Sequence, residues 1–98
     1  MVPWDLQRLR ILRELAERRT LTAVADALGY SPSAMSQQMA VLEKEAGTAL
    51  MQRAGRGVRL TDAGRLLADH AGLLLAAAEA ARVDLAALSG DVRGTVRA

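Results

Sequence analysis

The side chains best placed for chemistry in this 98-residue chain are hydroxyls and amides, not nucleophiles, paired acids or metal ligands. Residues 30–42 read YSPSAMSQQMAVL and carry no formal charge. Ser31, Ser33, Ser36 and Gln37 can each donate and accept hydrogen bonds. Such groups match the edges of base pairs. Gln pairs bidentately with adenine, Ser serves either role, and the Ala40 methyl can meet a thymine methyl. A second set follows at once. Arg53, Arg56, Arg59 and Arg65 stand against the single acid Asp62 between residues 50 and 65. Guanidinium groups gathered in this way suit a polyanion. The plain alternatives are a polar solvated helix face and a solvated basic loop.

The remaining composition excludes much else. There is no cysteine, so disulfides and Cys-based zinc sites are ruled out. The one histidine, His70, sits between Asp69 and Ala71 with no Ser-His-Asp pattern or metal spacing around it. It is expected to be a surface or interface residue. No enzyme activity, metal or cofactor is expected. Apolar residues make up 51%, enough for a core, yet there is one Trp, one Tyr and no Phe. So few aromatics argue against base stacking as a binding mode. The start, MVPWDLQRLR, is charged and unlike a signal peptide. The longest apolar stretch, Leu73 to Ala78, is too short to cross a bilayer. No membrane partner is expected, and the expected location is cytoplasmic.

Helices must position these groups. Asp5 caps a first helix to about Arg18, with Leu6, Leu9, Leu12 and Leu15 on one face. Arg8, Arg10 and Arg13 fall on other faces and read as solvated surface. Thr20 or Thr22 caps a short, small-sided second helix, which Gly29 ends near Leu28. Ser31-Pro32 opens a third over about 32–46, with Ser as N-cap and Pro at the first helical position. Residues 50–60, LMQRAGRGVRL, alternate about a glycine turn and predict a β-hairpin. Thr61-Asp62 then caps a long helix reaching about Leu88, before Ser89-Gly90. Its length, roughly 40 Å, exceeds what a small body can cover. Leu67, Ala71, Leu74, Ala78, Ala81, Leu85 and Leu88 step alternately by four and three, as in a coiled-coil seam. A parallel stripe of Leu66, Leu73 and Ala77 is left to serve the chain's own core. The opposite assignment, with the seam in the core, is the alternative.

Two short helices joined by a glycine turn form a helix-turn-helix candidate. Ala25 permits close crossing, Gly29 makes the turn, and Met35 pins the second helix to the first. Around the third helix, Met35, Met39, Leu42 and Ala46 share the core side. Ser33, Gln37, Ala40 and Lys44 share the other, flanked by Ser36 and Val41. The first acid, Glu43, lies three turns in, so no acid near the tip opposes phosphate; Lys44 could touch one. The hairpin becomes a wing. Arg56 on its turn could reach a minor groove or backbone, and Arg53 could hold a phosphate or pair with an acid of the body.

With these residues in place the chain resembles the N-terminal DNA-binding domain of LysR-type transcriptional regulators. The resemblance runs from Trp4 to Arg97. It is carried by DLQRLRILRELAE, TLTAVADALGYSPSAMSQQMAVLE, LMQRAGRGVRLTDAG and the long helix. It implies a mainly α winged helix-turn-helix, three helices plus a two-stranded wing, over residues 1–60. A dimerising linker helix, usually antiparallel, would follow over 61–89, and the start of a hinge to a missing effector-binding domain over 90–98. Thr22, Ser31, Ser33, Ser36 and Gln37 would face DNA, with Arg53 and Arg56 from the wing. The implied partners are double-stranded DNA at a pseudo-palindromic site and a second copy through the linker helix, a tetramer being open to a full-length form. No small-molecule effector is expected in this fragment. Pro32 stands where the family usually has Gln, Gln37 where it often has a cation, and Leu21 where Phe is common. These departures shift base contact toward Ser33, Gln37 and the arginines. Two other readings are a winged-helix protein-interaction module and a molybdate-regulator-like winged helix.

Overall fold

The computed structural model describes residues 4–95, with side chains through Ser89. The order is α1 (Leu6–Arg18), α2 (Leu21–Leu28), α3 (Pro32–Ala46), β1 (Met51–Ala54), β2 (Gly57–Leu60) and α4 (Asp62–Thr95). Each start of the first three helices has a local cause. Asp5 accepts from the Gln7 N–H, Thr20 from Ala23 and Ser31 from Ala34, so orphan amides of each first turn are satisfied. Thr20 is therefore the cap of α2, and Thr22 is left exposed.

The core is built from aliphatic side chains of α1, α2 and α3. Leu9, Ile11, Leu12 and Leu15 meet Val24, Ala25, Met35, Met39 and Leu42, all essentially inaccessible. Leu50, Leu60, Ala68 and Ala71 close it from the hairpin and α4. Between β1 and β2 the register is antiparallel, with Met51 opposite Leu60 and Arg53 opposite Val58.

Two expectations about the long helix need correcting. It does not stop at Ser89-Gly90 but runs on to Thr95. One Gly inside a helix costs about 1 kcal/mol relative to Ala, which propagation can absorb. Of the expected hinge, residues 90–95 are thus helical and 96–98 lie outside the described residues. The second correction concerns the stripes. Ala71 is fully buried and Leu67 packs against the core, while Leu66 and Leu73 are 62% and 72% exposed. Ala77 is exposed as well. So the seam begins inside the chain's own body, and the stripe assigned to the core faces out. The physical reason is fit. Ala68 and Ala71 give α4 a narrow, small-sided face that lies close against the bulky leucines of α1. A strict seven-residue repeat also drifts by about 20° per heptad on a straight helix. The series that starts at the half-buried Leu67 therefore ends at the exposed Leu88.

Candidate nucleic-acid interface

The turn between α2 and α3 fixes the polar helix. Gly29 takes φ 78°, a left-handed conformation natural to glycine. This lets the N–H groups of Gly29 and Tyr30 both donate to the Ala25 carbonyl, at 2.8 and 2.9 Å. With Val24 and Ala25 buried on one side and Met35, Met39 and Leu42 on the other, α3 cannot roll. Ser33, Ser36, Gln37, Ala40 and Lys44 all emerge exposed. Ser33, Gln37, Ala40 and Lys44 step by four, three and four and so form one stripe along the helix. Ser31 and Pro32 are exposed at its start. The Ser31 oxygen is engaged as the cap, 3.1 Å from the Ala34 nitrogen, and its O–H is still a donor.

Gln37 and Gln38 have divided their work. Gln37 makes no hydrogen bond among the described residues and stands in solvent. Gln38, 100° further round, is half-buried and accepts from the Arg8 guanidinium at 2.9 Å. Arg8 also donates to Glu45 at 3.3 Å. It thus clamps α1 across α3, where the sequence suggested only solvated surface. Arg8, Gln38 and Glu45 are positioning residues that hydrophobic periodicity overlooks, because they lie on the shoulder between the core and polar faces.

The wing is anchored at its base and open at its tip. Glu43 accepts from the backbone N–H groups of Leu50 at 2.9 Å and Met51 at 3.3 Å, so it ties the hairpin to α3. The Thr61 N–H donates to Leu50 and its hydroxyl to Ala49, at 3.0 and 2.7 Å, while its Oγ1 accepts from Gly64. Gly64 is required for this arrangement: a Cβ there would overlap the Leu50 carbonyl. On the other edge Val58 N–H donates to the Arg19 carbonyl at 2.9 Å. At the tip, Arg53, Gly55 and Arg56 are exposed. Neither arginine takes part in an ion pair among the described residues. The pairing of Arg53 with an acid of the body is therefore not formed. Arg65, by contrast, is used internally, bonding to the Leu60 carbonyl and pairing with Asp62.

A hydrogen-bonding stripe that is uncharged from Ser33 to Ala40 and ends at Lys44, and two guanidinium groups without an ion pair among the described residues, thus share one molecule. Among the described residues no cluster of His, Cys, Asp or Glu could hold a metal ion. A groove of about 780 Å³ runs between α1, the hairpin and the start of α4, lined by Leu15, Val58 and Arg59 among others; none of its walls comes from α3. No helix among the described residues is long and apolar enough to cross a membrane.

Residues 6–65 match the model of a family described as bacterial regulatory helix-turn-helix protein, lysR family. The chain is 43% identical over 77 residues to the HTH-type transcriptional regulator BudR of Klebsiella aerogenes, covering 79% of this chain and 54% of BudR. Among solved structures, the complex of the CbnR DNA-binding domain with DNA aligns with TM-score 0.73 at 31% identity, over 86% of this chain and 99% of that one. The complex of the BenM DNA-binding domain with catB site 1 DNA aligns with TM-score 0.83 at 27% identity, over 88% and 96%. This chain spans about half the length of BudR and about a third or less of several other relatives.

Proposed function

The chain belongs to the lysR family of bacterial regulatory helix-turn-helix proteins, and on that premise we propose that it binds double-stranded DNA sequence-specifically, as a dimer, within a transcriptional regulator of the cytoplasm. The observation that carries this reading is the exposed stripe of α3. Its polar groups have no partner among the described residues, and no acid stands beside them near the tip. In a major groove, Gln37 would pair with a base, most favourably adenine. Ser33 and Ser36 would donate or accept, and Ala40 would meet a methyl. Lys44 would take a phosphate. Thr22, Ser31 and Pro32 would lie along the backbone where α2 and α3 begin. Arg53 and Arg56 of the wing would reach the adjacent minor groove or backbone.

The dimer would form on the side of α4 that the core leaves open. Leu74, Ala81, Leu85 and Leu88 of the expected seam are exposed there, joined by Leu66 and Leu73. Leu67 and Ala71 belong to the core, and Ala78 is half-buried. Two recognition helices at fixed spacing would favour a pseudo-palindromic site with half-sites about one helical turn, or a multiple, apart.

Titration with salt on random duplex DNA tests the electrostatic part. The logarithm of the affinity should fall linearly with the logarithm of salt concentration, by about 0.9 for each phosphate neutralised. A flat response would remove DNA as the partner and leave the winged surface as a protein-binding module.

A further inference from the structure

Taking the antiparallel pairing of α4 helices that the family resemblance implies as its premise, we infer that in this chain the pairing has one register, centred on Ala77, and that His70 of each copy meets Asp84 of the other. The inference rests on the dimer proposed above and supplies its alignment and its polar contact.

The side of α4 opposite the core carries Leu66, His70, Leu73, Ala77, Ala81, Asp84 and Leu88, all exposed. Their spacings are 4, 3, 4, 4, 3 and 4, the same from either end. Leu66 to Ala77 and Ala77 to Leu88 are each eleven residues, three turns at about 3.67 residues per turn. The stripe therefore runs almost straight, without the left-handed wrap that a heptad series would need. Leu66 and Leu88 lie about 33 Å apart along it.

A two-fold axis through Ala77 places Leu66 on Leu88, His70 on Asp84, Leu73 on Ala81 and Ala77 on itself. Each match is complementary in kind. The bulky leucines close the two ends. The smallest residue marks the crossing, where helices need to approach most closely. The imidazole and the carboxylate have no hydrogen bond or ion pair of their own among the described residues. In this register each finds the other. Sliding one helix by four residues instead sets Asp84 against Leu66 or Leu74, stranding a carboxylate among leucines. Parallel pairing sets Asp84 against Asp84. A polar pair that is satisfied in one alignment alone is a known means of fixing register between helices. The two α4 N-termini would then stand about 45 Å apart, with one winged body at each end.

The chain has no cysteine, so single cysteines report the alignment directly. Ala77→Cys should give a covalent dimer under mild oxidation, since a disulfide requires Cα atoms within about 7 Å. Leu66→Cys should not, its copies being about 33 Å apart. Cross-linking of Leu66→Cys as readily as Ala77→Cys would mean parallel helices. Absence of cross-linking at Ala77→Cys in a chain that sediments as a dimer would mean another register. A wild-type chain that sediments as a monomer at tens of micromolar would overturn the dimer reading along with this one. For the polar contact, Asp84→Lys should weaken dimerisation about tenfold, two pairs being lost per dimer. His70→Glu in the same chain should restore it. A double variant no tighter than Asp84→Lys alone would separate His70 from Asp84.

Discussion

Replacing Gln37 by Ala isolates base reading from folding. The Gln37 side chain is exposed and engages no protein group among the described residues, so its loss should move stability by less than about 0.5 kcal/mol. It also sits mid-helix, where Ala is the better helix former. On DNA the expected effect is of another size. A bidentate contact is worth about 1–3 kcal/mol of discrimination, or about 5- to 140-fold in affinity. A dimer carries two copies, and contacts at separated half-sites add, so a full site should lose about 2–6 kcal/mol and a half-site the smaller figure. Fluorescence anisotropy on the preferred duplex, on its half-site and on random duplex gives the comparison, with thermal melting alongside. Selection of bound sites from a random pool supplies the preferred duplex. The adjacent Gln38 is the control. It bonds Arg8, so Gln38→Ala should lower stability by about 1 kcal/mol and weaken both DNAs alike. If Gln37→Ala weakens preferred and random DNA equally, Gln37 contacts the backbone or nothing, and the reading head has been placed on the wrong residue.

The other outcomes concern the wing, the helix and their supports. Arg56→Ala should flatten the salt dependence by about 0.9 per protomer, read from the slope on random duplex, while leaving the preference between sequences intact. Glu43→Ala strands the Leu50 and Met51 amides and should cost about 1.5–3 kcal/mol in urea unfolding, with Glu43→Gln recovering part of it. Gly64→Ala forces α4 off the Leu50 carbonyl and should lower stability by about 1–3 kcal/mol in the same assay. Leu73→Asp should give a folded monomer in sedimentation that melts below the wild-type dimer, with a melting temperature no longer dependent on concentration. A dimer that survives this change would show that the open side of α4 is not the contact.

What could be read from the sequence followed from local rules. Capping residues, glycine stops and the Ser31-Pro32 start depend on a few adjacent residues, and these set the bounds of α1, α2 and α3 correctly. The exposed face of α3 was equally legible, because methionine and leucine at 35, 39 and 42 left only one side free. The faces of α4 were not. Two apolar stripes lie about 100° apart, and periodicity cannot say which meets α1. That depends on side-chain size against a surface built by residues more than fifty positions away. Small Ala68 and Ala71 suit the leucines of α1, and large Leu66 and Leu73 do not. The roles of Arg8, Gln38 and Glu43 were hidden for the same reason, since each acts on a partner distant in sequence or in the next element. Sequence placed the groups that face outward better than the groups that hold them in place.

The division of charge has a mechanical side. A charged residue on the outer face of α3 between Ser33 and Ala40 would keep that helix soluble, and would also bind phosphate wherever it met one. Neutral serines and Gln37 give little attraction at long range, so in the proposed complex their contribution would depend on the bases they meet. In the proposed complex the wing arginines would do the reverse, holding any duplex by its backbone and leaving sequence unread. Placing these functions on separate elements demands that the elements keep a fixed relation. That relation is what Glu43, Thr61 and Gly64 maintain, by bonding or fitting the one segment, Ala49 to Met51, that joins α3 to the wing. On this argument Glu43→Ala should reduce the ratio of specific to non-specific affinity as well as stability, because a loosened wing would still grip phosphate while no longer steering α3. A variant that loses stability but keeps the full ratio would show that wing and helix act independently.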